Sequence, residues 1–92
     1  MKITVADTLN KIDPQGLNPS QLIERNTGSS SVYFAWEEPA SAAALHTGAA
    51  QGVPLKADEM LCFAESEIDL NGPLHLVCAS GESTTLNYTY RT

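Results

Sequence analysis

Basic residues are scarce in this chain of 92 residues: five Lys and Arg stand against eleven Asp and Glu, a formal net charge of −6. Lys2, Lys11, Arg25, Lys56 and Arg91 form no run. Binding a phosphate backbone needs clustered positive charge, so nucleic acid is not an expected partner. The acids are scattered from Asp7 to Glu82, which describes a solvated surface rather than an acidic tail. Cysteine is almost missing too. Cys62 and Cys78 are too few for a disulfide scaffold. No apolar run reaches the length of a membrane span, and MKITVADTLN lacks the apolar core of a signal peptide. The expectation is a protein made in the cytoplasm, with no membrane partner and reduced thiols. Both cysteines fall in strand-like stretches, where a free Cys packs as a small buried hydrophobe.

The spacings that carry chemistry are lacking as well. His46 and His75 sit in no H-x-H or H-x-x-x-H arrangement, and neither cysteine has a C-x-x-C partner. Ser80, Glu82 and Ser83 in ASGES have no base beside them, and no G-x-S-x-G elbow occurs. Turn residues that tolerate positive φ explain Ser80 and Gly81 more simply. The pairs Glu37-Glu38 and Asp58-Glu59 match neither a calcium loop nor a glycosidase couple in a long groove, and read as solvated turn charges. No enzyme, metal or cofactor is expected.

What the sequence does contain is strand signal. Short alternating stretches recur about every ten residues between Gly, Pro, Asn and Ser punctuation, the spacing of an all-β sandwich or barrel. KITVADTL, QLIERN and SVYFAWEE read as strands, separated by the Pro-rich NKIDPQGLNPS, which reads as a loop or extended arm. Val32, Phe34 and Trp36 share one phase and are assigned to the core, with Tyr33 on the opposite face as the better exposed contact. PASAAALHTG is either a short helix or a small-residue loop. The run Met60-Leu61-Cys62-Phe63 predicts a strand buried on both faces, or one covered on its outer face by residues 39–48. The closing stretch predicts a hairpin in which Leu74, Leu76 and Cys78 share a buried face with Leu86, Tyr88 and Tyr90. The fold class is therefore an all-β, antiparallel β-sandwich of six to eight strands with an N-terminal arm and room for one short helix. Residues 1–19 are assigned to the first strand and Pro-rich arm, and residues 20–92 to the sandwich core.

From residue 26 onward, NTGSSSVYFAW, GVPLKADEMLCF and GPLHLVCASGESTTLNYTY together resemble the small all-β domain of tailed-bacteriophage virion structural proteins. The positions that carry the resemblance are Asn26, Gly28, Val32 and Tyr33; Gly52, Pro54, Leu55, Glu59 and Leu61; and Pro73, Leu74, Ala79, Ser80 and Gly81. They form a signature of turns and strands without catalytic residues. The resemblance implies a virion component: a capsid decoration or cement protein, or a head or tail appendage. It implies the major capsid protein as partner, a homo-oligomer with a trimer as one arrangement, and a place on the capsid surface after synthesis in the host cytoplasm. The alternative is a fibre or baseplate module that binds a host receptor or glycan. Residues 1–25 and the insert PASAAALHTGAAQ depart from the pattern, so partner contacts are expected there and at the exposed aromatic. The expected protein interface is Lys2, Ile3, Lys11, Ile12, Pro14, Leu17, Pro19, Tyr33 and Leu45.

Overall fold

The computed structural model describes residues 1–14, 19–48, 51–64, 70 and 72–92. In chain order its elements are β1 (Lys2–Val5), β2 (Asn10–Ile12), β3 (Gln21–Asn26), β4 (Val32–Ala35), α1 (Ala42–His46), β5 (Val53–Leu55), β6 (Met60–Ala64), β7 (Leu74–Cys78) and β8 (Thr84–Arg91). The strands make two antiparallel sheets, one ordered β1-β8-β3-β6 and the other β2-β7-β4-β5. The all-β expectation holds. Its physical basis is the period-two burial that the alternating stretches announced: Val32 and Phe34 point inward in β4, Leu22, Glu24 and Asn26 in β3, and Thr84 and Leu86 in β8.

The pairs β1·β8, β2·β7, β3·β6 and β4·β5 show that the chain is one long hairpin, rolled up until β8 meets β3 and β7 meets β4. The tip of that hairpin is α1. Ser41 caps it, its Oγ accepting from Ala44 N at 3.1 Å, and Thr47 closes it by donating from both N and Oγ1 to Ala43 O. So the Ala-rich stretch is helical over five residues. A helix this short depends on packing. Leu45, 1% exposed, supplies it by seating the helix against β4 and β7. Gly52 admits the return strand, since a Cβ there would overlap Phe34 O and approach Leu45 Cδ1 to 2.8 Å.

Between the sheets lies a core of Val5, Ile12, Leu22, Val32, Phe34, Leu55, Leu70, Leu74, Leu76, Cys78 and Leu86, with Ile3, Trp36, Leu61, Phe63, Tyr88 and Tyr90 packed against it. Several expectations change here. β7 and β8 are not a hairpin: they lie in opposite sheets, and Ala79-Ser80-Gly81-Glu82 carries the chain from one sheet to the other. Their apolar residues do meet, but across the core. The final strand is flanked by β1 and β3, so it is internal to its sheet. The strand buried on both faces is β7, where all five residues are buried, because α1 returns onto its own sheet. In β6, Met60 and Cys62 stay exposed, and Cys62 is therefore a surface thiol rather than a core residue. Residues 10–12, read as loop or arm, form a short edge strand that places Ile12 in the core. The proposed arm over residues 1–19 thus includes a strand of each sheet.

Candidate functional site

The sheets close on one flank, where β1 and β2 are the edges, and part on the other, where β5 and β6 are the edges. At the parted flank an open cavity of about 570 Å³ lies between Phe34, Ala35 and Trp36 of the β4 end, Gln51, Gly52 and Val53 leading into β5, and Leu61 and Phe63 of β6. Alternation puts Leu61 and Phe63 on the inner face of β6 while Met60 and Cys62 point out. The rings are set edge to face: Phe63 stands 5.7 Å from both Phe34 and Trp36, at 72° and 87°. Val53 is 55% exposed at the mouth, and Met60 on the neighbouring strand is 64% exposed. This is an apolar, aromatic recess at a sheet margin. Its chemistry is that of binding through surface burial.

Behind it, the interior of sheet β1-β8-β3-β6 holds a carboxyl group. Glu24 occupies an inward position of β3, between Tyr88 of β8 and Leu61 of β6, and is 1% exposed. Neither of its oxygens has a hydrogen-bond partner among the described residues, and burial pushes its pKa up to about 7. The Tyr90 hydroxyl is also buried without a partner among the described residues, and burial, then Tyr88, Asp13 and Glu24, push it up to about 12. Asn26, two residues on, is fully satisfied. Its Nδ2 donates to Ser30 O at 2.7 Å and Leu55 O at 2.9 Å, and its Oδ1 accepts from Gly28 N at 3.1 Å and Thr84 Oγ1 at 2.6 Å. That one side chain ties the β3–β4 turn to β5 and β8.

The residues named from sequence are dispersed. Lys2 and Lys11 are exposed on β1 and β2, and Ile3 is half-buried against the core. Ile12, Pro14, Pro19 and Leu45 are buried within the chain, and Leu17 lies outside the described residues. Tyr33 is half-buried, its ring 6.3 Å from that of His46 on α1. His75 is buried on β7 and lines a shallow hollow with Lys11 and Glu38, apart from His46. Cys78 is buried, its Sγ donating to Val5 O at 3.3 Å, and burial together with Glu82 and Asp7 pushes its thiol up to about 11. Among the described residues no group of three His, Cys, Asp or Glu is placed to hold a metal ion, and no helix is long and apolar enough to cross a membrane. Glu24 and the exposed face of β6 were missed in the sequence. The signal for Glu24 was present: Leu22, Glu24 and Asn26 share one phase of QLIERN, so two polar residues ride on a core-facing pattern.

Among the described residues, eight strands paired as one rolled hairpin define a jelly roll. Among solved structures, the chain is similar to a de novo designed double-stranded β-helix determined by solution NMR. The TM-score is 0.54 at 15% identity, covering 99% of this chain and 96% of that one. This likeness concerns the fold alone. No family model matches the sequence, and no curated protein matches it significantly.

Proposed function

We propose that the protein is a non-enzymatic structural component of a bacteriophage virion, a capsid decoration or cement protein that binds the major capsid protein lattice and stabilises the head. The observation that carries this reading is the role of the residues behind the resemblance. Asn26 makes two hydrogen bonds within the β3–β4 turn and two to other strands, at Leu55 O and Thr84 Oγ1, and a Cβ on Gly28 would overlap Thr84 Oγ1. Leu55 is buried, Glu59 Oε1 accepts from Lys56 N at 2.6 Å, and Gly81 adopts φ 77° at the turn between sheets. What supports the reading is that positions behind the resemblance include ones on which this roll depends. Assembly as a homo-oligomer on a lattice also suits a small domain, whose own core leaves a thin margin of stability.

A second reading, a fibre or baseplate module for a receptor or glycan, is favoured by Trp36, half-buried at an open aromatic recess. Counting copies in purified particles separates the two. A lattice protein is present at a copy for every lattice site, whereas an appendage is present at a few per particle. A low count refutes the decoration reading, and absence from particles refutes both.

A further inference from the structure

Residues directly opposite each other on antiparallel strands share a face of the sheet. The register of sheet β1-β8-β3-β6 therefore sorts its side chains into rows that point alternately to the core and to solvent. One outward row runs Lys2, Asn87, Arg25 and Met60. Thr4 and Thr85 make the next outward row on one side, Thr89 and Ile23 the next on the other, and Arg91 stands one row further. Lys2, Arg25 and Arg91, distant in the chain and members of no run, thus share one surface. All three are exposed, and none makes an ion pair among the described residues. Glu24 is the one acid in β1, β3 and β8, and it points into the core. The β5–β6 turn at the rim adds Lys56, Asp58 and Glu59; Asp58 N donates to Asn26 O at 2.8 Å, and Glu59 Oε1 accepts from Lys56 N. Asp7 and Glu82 lie where the chain crosses between the sheets. Among the described residues, this face and the β5–β6 turn hold four positive charges against two negative, on a chain whose net charge is −6.

We propose that the outward face of β1, β8 and β3, centred on the row Lys2-Asn87-Arg25, docks an acidic segment of a partner protein. Lys2 and Arg25 flank Asn87 from the two neighbouring strands, so their backbones stand two strand spacings, about 10 Å, apart. The Arg25 guanidinium takes one carboxylate through a pair of parallel hydrogen bonds, and the Lys2 ammonium takes a second as a point charge. Between them the Asn87 amide, which makes no hydrogen bond among the described residues, offers a neutral donor, and the hydroxyls of Thr4, Thr85 and Thr89 surround it. Charge selects the occupant. A nucleic acid or an anionic membrane would carry its array of negative charge past this face to the acidic remainder of the chain, whereas a short segment meets the basic face alone. A second copy docked face to face would set Lys2 and Arg25 against like charges across the two-fold axis, and one docked head to tail would bring a whole body of −6. The inference stands on the register of the sheet and is independent of the virion reading.

Its test is amide NMR on the full isotope-labelled chain at low salt, with the end-blocked peptide Gly-Glu-Glu-Glu-Glu-Gly as probe. The peptide should shift the amides of Lys2, Arg25 and Asn87 and leave those of β4 and β7 in place. The same peptide with Gln for Glu should shift none. Arg25→Glu should weaken binding at least about tenfold, whereas Lys11→Glu, the same change of charge on the other sheet, should weaken it by less than about threefold. Lys2→Glu reads the same contact if Arg25→Glu does not fold. Absence of shifts, shifts spread over both sheets, equal binding of the Gln peptide, or equal weakening by Lys11→Glu would overturn the proposal. Larger shifts at these amides from a DNA duplex would overturn the choice of a protein partner. Shifts that grow with protein concentration in the absence of peptide would overturn it in favour of a second copy.

Discussion

Replacing Glu24 by Gln should make the protein more stable at neutral pH, and by an amount that depends on pH in a defined way. The folded chain holds this carboxyl in the interior, with neither oxygen partnered among the described residues, and burial raises its pKa from 4.5 to about 7. The unfolded chain releases the proton near the ordinary value; the folded chain keeps it until about pH 7. Stability is therefore fullest below pH 4.5, falls as the pH rises to about 7, and is flat above. At about 1.4 kcal/mol for each tenfold step in acidity, the loss across that window is on the order of 3 kcal/mol. Gln reproduces the neutral form, so Glu24→Gln should match the parent within about 1 kcal/mol at pH 4.5 and exceed it by about 2 to 3 kcal/mol at pH 8. Urea unfolding measures this directly, with the lone Trp36, packed edge-on to Phe63, as the fluorescent reporter. Everything else in the chain is common to both proteins and cancels in the difference. A difference that stays constant from pH 4.5 to 8 would show that Glu24 is ionised in the fold at no cost, and would refute the reasoning.

Two further outcomes are expected. Gly28→Ala should destabilise the fold by about 2 to 4 kcal/mol, read as a lower urea midpoint, because the added Cβ overlaps Thr84 Oγ1 and lies 2.8 Å from Thr85 N; an unchanged midpoint would mean that the turn is free to move. A disulfide reagent should titrate one thiol in the native protein, at the exposed Cys62, and release the second at buried Cys78 only on unfolding; prompt reaction of both would contradict the burial of β7.

The local structure was largely legible in the sequence, because alternation along a strand is a property of neighbouring residues. Val32 and Phe34 inward, with Tyr33 on the opposite face, are of this kind. What could not be read was which strands meet. Leu74–Cys78 and Thr84–Arg91 are joined by a short turn that suits a hairpin, yet each pairs with strands from the first half of the chain. The same limit applies to the sites. Asn26 was read as the end of the strand QLIERN, but its bonds to Leu55 and Thr84 span 29 and 58 positions. Cys62 looked like core because MLCFA is uniformly apolar; only the sheet order shows that its strand is an edge, with one side open.

The rolled hairpin also governs how the chain is made. None of β1 to β4 bonds to another of the four; each waits for a strand from β5 to β8. A nascent chain that has reached only β4 on the ribosome accordingly has no sheet to form. The pair nearest in sequence is β4 with β5, across the helical tip, followed by β3 with β6 and β2 with β7. The most distant in sequence is β1 with β8, and β8 lies between β1 and β3. Contacts this distant in sequence make folding slow and leave apolar strands bare in the interval. Of the strands described, β8, which joins β1 to the rest of its sheet, is thus the last in chain order.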